Sequence, residues 1–205
     1  MWFWEAASSS SSNMRTAISI LFLAGCAAAE SYSIRPDPGA HFRLEVFKTG
    51  LMAGKKHVFL FQRYDGMISY DAAQPENSKV ELTIEAASIV CMDEWIGAGN
   101  KRKVEEYALK DMMDAATHPQ LRFTSSAVTK RPDGKFDVQG ALTIRSFTRP
   151  VTVLVSILPD TNRARFSGKA EVRLKDYGLK PRSAVLVIGT KSEMSVDFSL
   201  IAIPR

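Results

Sequence analysis

The residues able to do chemistry are few in this chain, and their spacing builds no catalytic set. It has three histidines, His41, His57 and His118, and two cysteines, Cys26 and Cys91. His41 lies near Asp37, a base with a candidate orienting acid. His57 follows Lys55-Lys56, and His118 precedes Pro119. Acid–base catalysis needs partners within hydrogen-bond reach, so each histidine reads as structural or solvent-exposed. There is no G-x-S-x-G elbow, no H-E-x-x-H pair and no P-loop, and Gly97-Ala98-Gly99 lacks the third glycine of a dinucleotide turn. Three histidines and two cysteines support neither a multi-histidine metal centre nor a disulfide-dense scaffold. The chain is therefore expected to have no catalytic residues, no metal and no cofactor. Cys91 sits between Val90 and Met92 and reads as a small buried hydrophobe. Glu105-Glu106 reads as a solvated helix face.

Cys26 belongs to a different chemistry, that of targeting. Met14-Arg15 precedes an apolar stretch from Ala17 to Gly25, followed by small residues, which is the pattern of a secretory signal peptide. The stretch is too short for a mature membrane-spanning helix. Residues 1–13, aromatic and then serine-rich, read as an upstream extension, with Met14 as the start. Two exits compete. Leu23-Ala24-Gly25-Cys26 looks like a bacterial lipobox, which would place a lipid on Cys26. Ala27-Ala28-Ala29 offers an ordinary cleavage site that would leave Glu30 first. The expectation is a leader over 1–29 and one domain over 30–205, periplasmic or secreted in a bacterium, with membrane association through Cys26 if it is lipidated.

Composition bounds the rest. With 205 residues, 45% hydrophobic and 24% charged, the chain can bury a sizeable core and is not disordered. A net charge of +5, from 27 basic against 22 acidic residues, comes without a basic run. That argues against a nucleic-acid arm and leaves room for an anionic ligand or membrane surface.

Period-two alternation dominates from residue 41 onward. Phe42, Leu44 and Val46 alternate with Arg43 and Glu45; Val80, Leu82 and Ile84 with Glu81 and Thr83; Leu121 and Phe123 with Arg122. Phe136, Val138, Gly140, Leu142 and Ile144 form another dry face, as do Phe166, Gly168, Ala170 and Val172, and then Met194, Val196 and Phe198. Val58 to Tyr70 and Val151 to Leu158 read as further strands. Turn residues such as Pro132-Asp133-Gly134 separate them, and no βαβ spacing occurs. Asn100 to Thr117 carries instead a helical stripe of Val104, Ala108 and Met112, with Leu109 and Met113 beside it. Asn100 would be its N-cap and His118-Pro119 its end. Met112 and Met113 would pack on the sheet or line a ligand entrance. The prediction is a mainly β fold, an antiparallel eight-stranded barrel with one α-helix inserted between early and middle strands. Gly140, Gly168 and Ala170 on inward faces would leave room inside. Lys55-Lys56 at a barrel mouth would suit a phosphate head group.

The order of elements resembles the YceI-like family, lipid- or polyisoprenoid-binding, lipocalin-like proteins of the bacterial periplasm. The stretch Gly140 to Val151, with Leu142-Thr143-Ile144, is similar to that family's strand–turn–strand run. His118-Pro119 into Phe123 and Ser125 resembles its helix exit. Met112-Met113-Asp114 stands where the family has two phenylalanines and an acid. Gly168 to Arg173 with Asp176-Tyr177-Gly178-Leu179 resembles its late strand and turn, and Phe61, Tyr64, Gly66, Ile68 and Tyr70-Asp71 its early aromatic strand. Two departures stand out. Phe47-Lys48-Thr49 replaces a Val-x-His segment, and Cys91 to Asn100, with Trp95, has no counterpart. The resemblance implies a barrel open at one end that holds an isoprenoid or other long-chain lipid. The residues expected to line it are Phe42, Leu44, Val46, Phe61, Leu82, Ile84, Phe123, Val138, Leu142, Val153, Val155, Ala170, Val172, Val196 and Phe198. Alternatives are a structural or partner-binding envelope lipoprotein with a filled core, and a lipid-modifying enzyme.

Overall fold

Period-two alternation becomes eleven antiparallel strands in the structure, a computed structural model that describes residues 29–160, 163–181 and 188–205. Cys26 and the leader lie outside the described residues. The strands are β1 (Glu30–Ile34), β2 (His41–Gly50), β3 (Lys56–Phe61), β4 (Tyr64–Tyr70), β5 (Lys79–Glu85) and β6 (Ile89–Cys91), then β7 (Gln120–Lys130), β8 (Phe136–Ile144), β9 (Phe147–Asp160), β10 (Arg163–Arg173) and β11 (Ile188–Pro204). Between β6 and β7 stands α1 (Ala98–Tyr107).

Eleven segments make eight staves, because three staves are each broken in the middle. β1 and β2 follow one another along the same edge of β11, which pairs Ile34 with Ala202 and Phe42 with Phe198. β4 and β3 lie beside them in turn, and β5 and β6 beside those. β7 to β11 each pair antiparallel with the next strand in sequence. In one half of the molecule the ring is complete, β1-β4-β5-β7-β8-β9-β10-β11 and back to β1, a closed antiparallel eight-stranded barrel. Closure leaves no free edge there. In the other half β11-β2-β3-β6 ends at the short strand β6. There α1 takes the place of a sheet neighbour: Glu105 Oε1 accepts the backbone N–H of Cys91 at 2.8 Å.

Local chemistry sets the turns. β8 and β9 join through two residues, with Ile144 opposite Phe147 and Arg145 at φ 56°. Gly134, at φ 81°, closes the β7–β8 turn.

Several expectations need correction. A strand, β1, precedes residue 41. The stretch from Val58 to Tyr70 is not one strand, because Gln62 and Arg63 break it into β3 and β4. The helix starts at Ala98, before Asn100, and Gly97 rather than Asn100 caps it. It ends well before Pro119. Ala108–Met112 widens into a π-turn, closed by Met113 N–H on Ala108 C=O at 2.8 Å, and Asp114 at φ 47° stops it. The extra residue in that turn rotates the helical face, so that Met112 and Met113 both reach the interior. Glu105 is not solvated with Glu106. It turns inward to Cys91, while Glu106 pairs with Lys110 on the surface.

Candidate functional site

The interior holds two chambers, one in each half. The inner chamber, within the closed ring, is a cavity of about 140 Å³. Its wall is apolar; Ser78 and Tyr70 are lining residues but turn no polar surface toward the space. Fourteen of the fifteen residues expected from the sequence lie in this wall. The fifteenth, Val46, lies one step further along β2 and lines the outer chamber. At the far end Tyr70 stands edge-on to Phe136 with ring centroids 6.3 Å apart.

The inward glycines do not make this space. A Cβ on Gly168 would lie 2.5 Å from the Phe198 ring, and one on Gly140 would lie 2.6 Å from the Phe123 ring. Gly168 faces Phe198 directly in the β10–β11 register. These glycines let aromatic rings of neighbouring strands lie flat on the backbone, so the room expected at both positions is already filled. Ala170, two residues on from Gly168, does line the cavity.

The outer chamber, about 610 Å³, lies between β2, β3, α1 and the short helical turn Leu174–Tyr177. Leu44, Met113 and Met194 line both chambers and so form the partition between them. Methionine is unbranched and adaptable, so two of the three partition side chains can repack with little strain. Both methionines are buried.

Polar groups gather in the outer wall. α1 presents Asn100, Lys103, Val104 and Tyr107, one helical face, to the chamber. β2 supplies Lys48 and β3 supplies His57. His57 Nδ1 donates to Asp93 Oδ2 at 2.5 Å, and Asp93 Oδ1 accepts the Val58 N–H at 2.8 Å. The Asp93 side chain has no exposed surface. Trp95 stacks on His57 with centroids 5.4 Å apart, and its indole N–H donates to the Lys56 carbonyl at 2.9 Å.

Sequence reasoning passed over Lys48, Asp93, Trp95 and Lys103 as site residues. The segment from Cys91 to Asn100 was visible only as a stretch without a counterpart in the family. The cation pair weighed for a head group, Lys55-Lys56, is spent elsewhere. Lys56 pairs with Glu45 at 2.6 Å, and Lys55 lies over the Trp95 ring at 5.9 Å. His41 bonds Asp197 at 2.9 Å rather than Asp37. His118 lies 4.0 Å from Asp114. Cys91 is 2% exposed, and burial pushes its thiol up to about 11, away from thiolate chemistry.

Comparison with known proteins agrees with this architecture. The sequence model of the YceI-like domain matches residues 32–201. A UPF0312 protein of Pseudomonas syringae pv. tomato is 29% identical over 166 residues, covering 78% of this chain and 82% of its own. Protein YceI of Escherichia coli is 28% identical over 175 residues, covering 80% and 84%. Among solved structures, Burkholderia cenocepacia BcnA superposes with a TM-score of 0.63 at 22% identity, over 79% of this chain and 95% of that one. A polyisoprenoid binding domain from Saccharophagus degradans gives 0.60 at 12% identity, over 84% and 98%. Match length, the order of strands and the closed eight-stave barrel agree: this chain belongs to the YceI-like family.

Proposed function

We propose that the protein binds a long-chain amphiphile, an isoprenoid or other lipid, with its apolar tail in the inner chamber. One observation carries the reading: a cavity inside a closed ring whose walls are almost wholly hydrocarbon. Such a space does not hold water well, because water needs two to four polar partners. It suits an apolar chain, to which each buried CH₂ contributes about 0.8 kcal/mol. The Saccharophagus domain with the same fold is a polyisoprenoid binding domain, which supports an isoprenoid tail as the first candidate.

The same reading extends to carriage or sequestration of the lipid in the bacterial cell envelope, where apolar chains must cross water between membranes. The leader supports export, and Leu23-Ala24-Gly25-Cys26 supports a lipid anchor. Binding needs no catalytic step. The half-buried His57 ring is hydrogen-bonded to Asp93, and the Cys91 thiol is shielded in the core.

Organic extraction of the purified protein followed by mass spectrometry tests the binding. A stoichiometric long-chain lipid is expected, and its absence from protein prepared from its own host contradicts the reading. For anchoring, Cys26→Ser is expected to move the protein from the membrane to the soluble fraction. An N-terminus mapped at Glu30 would contradict lipidation and leave export intact.

A further inference from the structure

The outer chamber carries a charge pattern that a purely apolar ligand would leave unused. Its lining includes two lysines, Lys48 and Lys103, and no carboxylate. The acids nearby are already committed. Both oxygens of Asp93 are taken by His57 and Val58, Glu105 accepts from Cys91, and Glu45 pairs with Lys56. Among the described residues neither Lys48 nor Lys103 has a carboxylate within ion-pair distance.

Lys48 is only partly exposed. Burial pulls its ammonium below the usual lysine range, with the field of Asp93 opposing the shift. A partly desolvated cation without a partner is a standing cost, recovered when an anion arrives. His57 adds a fixed hydrogen-bonding edge. With Nδ1 bound to Asp93 and the ring stacked on Trp95, Nε2 is the atom left for a ligand. Beneath these groups, Leu44, Met113 and Met194 lead into the inner chamber.

We propose that the outer chamber is a head-group subsite selective for an anion, a carboxylate or a phosphate ester, held by Lys48 and Lys103 beside the ring of His57. The proposal rests on the reading that a tail occupies the inner chamber. It goes beyond that reading by assigning the ligand's charge and the residues that meet it. Lys48 sits on β2 and His57 on β3, whereas Lys103 comes from α1 on the other side. An anionic group between them would thus close the splayed half by joining helix to sheet.

The test uses delipidated full-length protein and three probes with one tail: hexadecan-1-ol, hexadecanoate and hexadecyl phosphate. Affinities are measured by calorimetry at low and high salt. The wild type is expected to bind at least one anion about tenfold more tightly than the alcohol at low salt, with the advantage shrinking as salt rises. Whichever anion is preferred tells a carboxylate ligand from a phosphate ester. Lys48→Met is expected to remove most of that advantage, read as the ratio of anion to alcohol affinity. Lys103→Met, at an exposed position, should remove a smaller part and serves if Lys48→Met does not fold. Equal affinity for all three probes in the wild type overturns the head-group assignment and leaves the tail reading standing. An anion preference that survives both substitutions also overturns it. Failure of all three probes to bind contradicts the tail reading itself.

Discussion

The two halves of this barrel solve the same problem, covering the ends and edges of a sheet, by opposite means. In the closed half eight staves pair all the way round and the interior is hydrocarbon. In the splayed half three staves have broken, β6 ends the sheet, and a helix fills the gap through one carboxylate on one backbone amide. The closed half is held by many interchangeable apolar contacts. The splayed half shares that apolar core through Phe59, Ile89 and Ala108 and adds the buried polar contacts of Asp93 and Glu105. Ligand specificity is therefore expected in the splayed half, and ligand capacity in the closed one.

That contrast is tested first by Asp93. Asp93→Ala strips the acceptor from both the His57 ring and the Val58 amide in a fully buried place. A loss of about 2–5 kcal/mol in urea unfolding is expected, from two donors left without an acceptor at about 1–3 kcal/mol each. A loss below about 1 kcal/mol would mean that the splayed half does not lean on its polar contacts. Next comes Gly168→Ala in the closed half. The added methyl meets the Phe198 ring at 2.5 Å and the Leu154 carbonyl at 2.7 Å, so a loss of about 1–3 kcal/mol is expected. A neutral result would restore the idea that this glycine leaves free space. The smallest effect belongs to Tyr177, in the turn that lines the outer chamber's margin. Its buried hydroxyl finds no hydrogen-bond partner among the described residues, and burial raises its pKa to about 12. Tyr177→Phe removes a desolvated group without opening a cavity. Stability should stay level or rise by up to about 1 kcal/mol, read from the thermal midpoint. A loss of more than that would show that the hydroxyl is satisfied after all.

The same division explains what could be read from sequence. Alternation such as Val80, Leu82, Ile84 is a direct image of a pleated strand with one dry face, so the closed half and its lining were visible residue by residue. Nothing periodic marks a break in a stave. Gln62 and Arg63 are ordinary strand residues, yet the chain bends there to pass from β3 to β4. Asp93 and Trp95 look like loop residues in a short irregular stretch, and their partners lie about 35–40 positions back along the chain. Lys48 sits in a strand whose alternation was read for its apolar members. Inward glycines misled for a related reason. A missing side chain signals space only when no neighbour occupies it, and Phe123 and Phe198 are not adjacent in sequence to the glycines they cover.

The central claim, that the closed half encloses a ligand channel, meets its most direct test at Ala170. This residue lines the inner chamber two positions from crowded Gly168. Ala170→Phe is to be compared with wild type for two quantities, the thermal midpoint of delipidated protein and the lipid bound per chain after purification. If the chamber is a channel, the ring enters the void, so the midpoint should change little while bound lipid falls sharply. A midpoint lowered by the equivalent of about 1–3 kcal/mol, beside a wild type that never carries lipid, would show a core filled by its own side chains and contradict the account.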